Sequence, residues 1–161
     1  MNGRGGNVIR VTPRTSASAY TQSDVLFNYT KIPNAVGERG GVSKLVNFSI
    51  IDIRAGGGGT GFLDFEIFFH QTGGFDLGTL NEQPDITDSD FIEMNHLGWW
   101  EVKASDWISN NSSSDSSSFL YTGASQSAHP MQTFLLKADE GSRDVYFSSI
   151  IGNDSYDGAG D

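Results

Sequence analysis

The sequence predicts an all-β protein: an antiparallel β-sandwich, jelly-roll-like, with one short helix and an extended N-terminal arm. Three observations point there. Apolar and polar residues alternate with a period of two in runs separated by Gly, Asn and Pro turns. Only one segment carries the start signals of a helix. The apolar fraction is low, at 37%, yet the 161 residues include 11 Phe, 5 Tyr and 3 Trp. A core of few but large side chains suits two facing sheets. A closed barrel is the alternative, since roughly seven or eight strands satisfy either form.

Residues 1–18 read as an arm. Met1–Gly6 is glycine-rich, Asn7–Thr12 is a β-prone run closed by Pro13, and Thr15–Ser18 is a small polar connector. The sandwich domain spans 19–151. Its first strand is Asp24–Lys31, with Val25, Phe27 and Tyr29 on one side and Leu26 and Thr30 on the other. A turn built from Pro33, Asn34 and Gly37 leads through Gly40-Gly41 into Val42–Arg54, read as one long strand. Leu45, Ile51 and Ile53 share one parity and Val46, Phe48 and Ile50 the other, so both of its faces are to be covered.

Gly56–Gly59 is a turn into Gly61–Gln71, where Leu63, Phe65, Ile67 and Phe69 point inward and Asp64, Glu66 and His70 point out. Asp85–Met94 is the helix. Thr87 is its cap, with Asp90 in the place of the usual capping-box Glu, and Asp88 and Asp90 sit where the helix dipole favours them. Leu97–Lys103 is a strand. Asn110–Ser118, nearly all Ser and Asn, offers nothing to bury and reads as an exposed loop. Phe119–Tyr121, Met131–Lys137 and Asp144–Ile151 close the domain, and 152–161 is a flexible acidic tail.

Charge excludes some functions. Ten Lys+Arg against 20 Asp+Glu give a net charge of −10, with a pI near 4.5. Nucleic-acid binding requires a basic face that displaces counterions, and an anionic membrane would repel this surface. No apolar run approaches the ~20 residues that span a bilayer. The absence of cysteine removes disulfides, thiol nucleophiles and thiolate metal sites. No cofactor or metal is expected.

Candidate reaction centres are weak. His70, His96 and His129 lack metal-ligand spacing and read as separate surface or edge histidines. No G-x-S-x-G nucleophile turn occurs. Asp64 and Glu66 would lie about 7 Å apart on one strand face, as on any solvated strand. Asn153–Gly158 faintly echoes a calcium loop but lacks its distal glutamate. Trp99 and Trp100 must point to opposite faces of a strand. One fills the core and the other, taken here as Trp100, meets a neighbouring subunit or, in the rival reading, a sugar.

Several short motifs occur in a fixed order. They are Asp24-Val25-Leu26, Asn34-Ala35-Val36 with Gly40-Gly41, Leu45-Val46-Asn47-Phe48, and Asp64–Phe69. Asp88–Phe91, Leu97-Gly98-Trp99, Ala104–Trp107, Asp144-Val145-Tyr146 and Tyr156 follow. From Ser23 to about Tyr156 this order resembles small structural proteins encoded among tailed-phage head genes, of the capsid cement or decoration type. The Ser-rich insertion at 110–118 and the acidity depart from that pattern. The resemblance implies a non-enzymatic virion protein on the outer surface of the capsid. It would stabilise the head by bridging neighbouring major capsid subunits, with itself as a further partner in a homotrimer. A partner-binding arm of Val8, Ile9, Arg10 and Val11, with Arg14 beside it, suits strand addition to a capsid protein. The alternative is a tail- or fibre-associated binding module, with a Trp-lined groove where its ligand is a carbohydrate.

Overall fold

A computed structural model describes residues 8–55, 64–103, 106, 108–109, 116–122 and 134–152. The described residues form antiparallel strands and one short helix, so the protein is all-β. In chain order the elements are β1 (Val25–Ile32), β2 (Val42–Leu45), β3 (Ser49–Ala55), β4 (Phe65–His70) and α1 (Asp88–Glu93). β5 (His96–Val102), β6 (Ile108–Ser109), β7 (Ser116–Thr122), β8 (Phe134–Lys137) and β9 (Val145–Ile151) follow.

A four-stranded sheet has the order β1-β9-β4-β5. The last strand thus lies between the first and the fourth. β2 pairs with β8, and β3-β7-β6 form a third sheet. One face of the four-stranded sheet carries Phe65, Ile67, Phe69, Trp100, Val102 and Phe147 into the main core. Val36, Leu136 and Ala138 meet them, with Leu45, Phe48 and Ile50 packed alongside. Phe27 meets Phe147 edge-on at 5.3 Å, and Phe69 stacks on Phe147 at 6.2 Å. Such pairs add about 0.5–1.5 kcal/mol each beyond the area they bury.

Part of the opposite face, at β1 and β9, is covered by the connection between β4 and β5. Leu77 and Met94, with Phe75, Leu80 and Ile86, form a second, smaller core against Val25 and Ile150. Asn28 ties this connection to β1, its side chain accepting from Leu77 N at 2.8 Å and donating to Gly78 O at 2.7 Å. Val25 N donates to Glu82 O and Asn81 N to Val25 O, so backbone covers the free edge of β1 at its first residue. A covered edge cannot template pairing with another chain. α1 has the predicted capping box, Thr87 and Asp90 satisfying each other's backbone N–H. It buries no residue fully and spans 88–93 rather than 85–94.

Three sequence expectations change. Val42–Arg54 is two strands in different sheets, β2 on β8 and β3 on β7. The chain leaves the ladder at Val46–Phe48 because Phe48 turns inward, edge-on to Phe69 at 6.3 Å and to Trp100 at 5.6 Å. Ser116–Ser118, expected in an exposed loop, begin β7 and pair with Ile53–Ala55. Cross-strand backbone pairing there overrides the weak strand preference of serine. In β1, register shifts between Val25 and Thr30 break the strict alternation. Val25 therefore joins the smaller core while Leu26 and Phe27 both enter the main one.

The turn before β2 keeps its glycines for steric reasons. Gly40 has φ +65, and a Cβ on Gly41 would stand 2.8 Å from the Glu38 carbonyl oxygen. Val36 N and Gly40 N donate to Arg143 O and Ser142 O, which pins this turn to the one before β9.

Candidate functional site

The β4–β5 hairpin ladder brings most of the candidate residues together. Its register sets Glu66 opposite Glu101, Phe68 opposite Trp99 and Ile67 opposite Trp100. Side chains on a strand alternate between faces, so Ile67 and Trp100 go to the main core and the other four share the opposite face. Trp100 is 6% exposed and Trp99 52%. The outward tryptophan is therefore Trp99, and Trp100, expected to meet a partner, is a core residue packed on Phe48.

The register also gives Glu66 a carboxylate neighbour across the ladder, besides Asp64 on its own strand side. Asp64 lies at the start of β4, its carbonyl accepting from Gly152 N at 2.8 Å. Glu66 has Glu101 directly across the ladder. Burial, and then the Glu101 charge, push the Glu66 carboxyl above its usual range. Glu101 has an ammonium beside it, Lys103 Nζ at 3.3 Å. A carboxyl raised by burial beside a second carboxyl group is what general acid chemistry uses. Here the pair lies on a strand face beside a half-exposed indole. The concavity recorded among the described residues lies elsewhere, an open basin bordered by Arg14, Asn28, Tyr29, Asp76 and Leu80.

The histidines are the main feature that sequence reasoning misplaced. His70 is fully buried, and His96 is its register partner across an irregularity in the β4–β5 ladder. The His70 ring stacks on Tyr146 at 6.1 Å, and the His96 ring lies 5.3 Å from Phe91 and 6.0 Å from Phe68. His70 Nδ1 lies 2.9 Å from Thr72 O. A carbonyl only accepts, so that nitrogen carries the proton. The Nε2 atoms of both rings are buried without a hydrogen-bond partner. Burial lowers the pKa of each, and each ring stays neutral at neutral pH. The parity of β4 put His70 on the face away from the main core. It carried no sign that the β4–β5 connection covers that face.

No group of three or more His, Cys, Asp or Glu among the described residues is placed to hold a metal. His129, the Trp107 side chain and the Asn153–Gly158 loop lie outside the described residues. Asp90 is occupied by the helix cap, its Oδ2 accepting from Thr87 N and Oγ1 at 2.9 and 2.8 Å.

The expected arm, as far as it is described, runs from Val8 and contains no strand. Val8 is fully exposed, Ile9 half-buried and Arg10 exposed, whereas Val11 packs against the main core. Arg14 is exposed and borders the basin.

Besides Val8 and Tyr29, the large apolar side chains exposed among the described residues fall into two groups. Trp99 (52%), Ile92 (74%) and Phe91 (39%) lie around the β4–β5 ladder and α1. Val42 (57%) and Leu135 (63%) lie on β2 and β8, Val46 (66%) just after β2, and Ile51 (58%) on β3. Comparison with protein-family models, curated proteins and solved structures returned no match to this chain.

Proposed function

We propose that this chain is a virion structural protein of the capsid cement or decoration type. On this reading it is a jelly-roll-like antiparallel β-sandwich on the outer surface of a tailed-phage head. It binds neighbouring major capsid subunits and stabilises the shell without catalysing a reaction. The ordered motifs from Ser23 to Tyr156 suggest the family. The observation that carries the reading is the exposure of Trp99, Ile92, Val42 and Leu135 on regular elements of a folded body. Apolar groups grouped on a surface mark protein contacts. Val8–Arg10, exposed or half-buried and free of a strand, supplies a segment able to add to a capsid strand.

A second reading is favoured by one observation: Trp99 stands exposed with Glu66 and Glu101 on the same face. An indole flanked by carboxylates suits a pyranose ring, as in a tail- or fibre-associated carbohydrate-binding module.

The deciding experiment is co-sedimentation of the purified chain with expanded tailed-phage capsids, followed by its localisation in a map of the decorated particle. Density on the outer shell across neighbouring capsid subunits is expected. A chain that leaves such capsids bare, and instead binds glycans through Trp99, replaces the first reading with the second.

A further inference from the structure

Two surfaces of this chain are built on the same plan with opposite charge. On β4 and β5, Glu66–Glu101 and Phe68–Trp99 are adjacent cross-strand pairs on the face away from the main core. They make a block of two carboxylates and two aromatic rings. Phe91 lies against Phe68 at 6.4 Å and extends the block onto α1, where Ile92 and Glu93 are exposed. On β2 and β8, the cross-strand pairs are Val42–Lys137 and Lys44–Leu135. Leu136 is buried in the core and Leu45 packs against it, so these four side chains all face outward, and all four are exposed. They make a block of two ammonium groups and two aliphatic side chains, with exposed Val46 two residues beyond Lys44.

Among the described residues the lysine block has no ion pair, and the acidic block has one, Lys103 on Glu101. The ion pairs among the described residues are Lys31–Asp144 and Lys103–Glu101, which leaves Lys44, Lys137 and Glu66 without one. Directly opposed like charges such as Glu66 and Glu101 destabilise a sheet. A cation brought from outside relieves that opposition. The chain has only ten Lys+Arg against 20 Asp+Glu, so two lysines on one four-residue block are a local reversal of its overall sign.

We propose that these two faces are the two halves of one interface between copies of this chain, the β4–β5 face of one copy seated on the β2–β8 face of the next. Each lysine then meets a carboxylate, and Val42 and Leu135 cover the Trp99 and Phe68 rings. A two-fold dimer through either face alone would set glutamate on glutamate or lysine on lysine, which costs several kcal/mol. The contact is therefore head-to-tail, and such contacts close into rings or run on as filaments. This deepens the self-association expected of a cement protein, and its test needs no capsid.

The experiment is sedimentation velocity of the full chain at low and high salt, with fold monitored by circular dichroism. Wild-type chain associates, and salt weakens the association. The paired variant Lys44→Glu/Lys137→Glu, at exposed positions, loses association by about a hundredfold or more. It also breaks up wild-type oligomers when mixed with them, because its intact acidic face caps their lysine face. Glu66→Lys/Glu101→Lys behaves likewise, and the four-site charge swap associates again. A monomeric wild-type chain, a lysine-face variant that associates like wild type, or a folded four-site swap that stays monomeric overturns the proposal. If the glutamate-face variant does not fold, the lysine-face variant and the mixing result decide alone. A monomer that still decorates capsids overturns this interface and leaves the cement role standing. A salt-sensitive oligomer that ignores capsids does the reverse.

Discussion

Replacing the two neighbouring tryptophans one at a time separates their roles. Trp100 is 6% exposed and meets Phe48 edge-on at 5.6 Å. Trp100→Ala removes its buried area and leaves a cavity between the Phe48 and Ile67 side chains, a change that costs about 3–5 kcal/mol. For a chain of this size 1 kcal/mol moves Tm by about 2–4 °C, so the midpoint falls by about 6–20 °C. Trp99 is 52% exposed. Truncating it returns roughly 100 Å² to water, which at about 25 cal/mol per Å² sets an upper bound near 2.5 kcal/mol. It opens no cavity, and its main effect falls on association. The assay is urea unfolding followed by circular dichroism at two protein concentrations, which separates fold stability from mass action. Trp99→Ala should unfold near the wild-type midpoint at low concentration and lose the gain that wild type shows at high concentration. A Trp99→Ala loss equal to or larger than that of Trp100→Ala, at low concentration, would refute the assignment of faces.

Acid should weaken the fold through the histidine pair. Both folded-state pKa values lie below the ordinary 6.5, so the unfolded chain takes up protons first. This part of the stability is complete above about pH 6.5 and is lost as pH falls below it. His96→Phe keeps the stacks on Phe68 and Phe91 and should flatten the decline, measured as Tm from pH 7.5 down to 5; an unchanged slope would count against the buried-pair reading. Gly41→Ala should destabilise, since its Cβ would meet the Glu38 carbonyl oxygen at 2.8 Å. Gly37→Ala, with nothing within 4 Å, should gain about 0.4–1 kcal/mol by restricting the unfolded chain. Equal effects of the two, in matched thermal melts, would contradict the turn geometry. Asn28→Ala strips a donor from Gly78 O and an acceptor from Leu77 N. It should cost about 1–3 kcal/mol and speed hydrogen exchange at Leu77 and at Val25, whose N–H is held by Glu82; exchange unchanged there would show that the loop is held by something else.

What the sequence made legible follows from periodicity. Asp24–Lys31, Leu97–Lys103 and Asp144–Ile151 lie within a residue or so of β1, β5 and β9. The Thr87–Asp90 cap was readable because both partners lie within one turn. Failures came where distant chain decides. Val46-Asn47-Phe48 contains no Gly or Pro, and its one Asn is a weak mark for the end of β2; Phe48 leaves the ladder to reach Phe69 and Trp100. Adjacent tryptophans must diverge, but which one goes inward depends on the facing strand, where Trp100 sits opposite Ile67. The Glu66–Glu101 pair required a register that parity within one strand does not supply. His70 had the right parity and the wrong surroundings, because Met94, Leu77 and their neighbours arrive from a connection whose path only the folded chain defines.

The place of β9 between β1 and β4 has a consequence for how this protein is made. Val25–Ile32 finds its partner more than a hundred residues later, in Val145–Ile151. During synthesis β1 therefore waits unpaired, and β4 with only β5 beside it, until β9 has left the ribosome. Sheets closed by such distant pairings form slowly, and waiting strands are prone to stick to one another. The molecule is locked by its final strand. A nascent chain stalled before Val145 would hold most of the apolar residues of the finished core and none of the hydrogen-bonded ladder that β9 makes with β1 and β4.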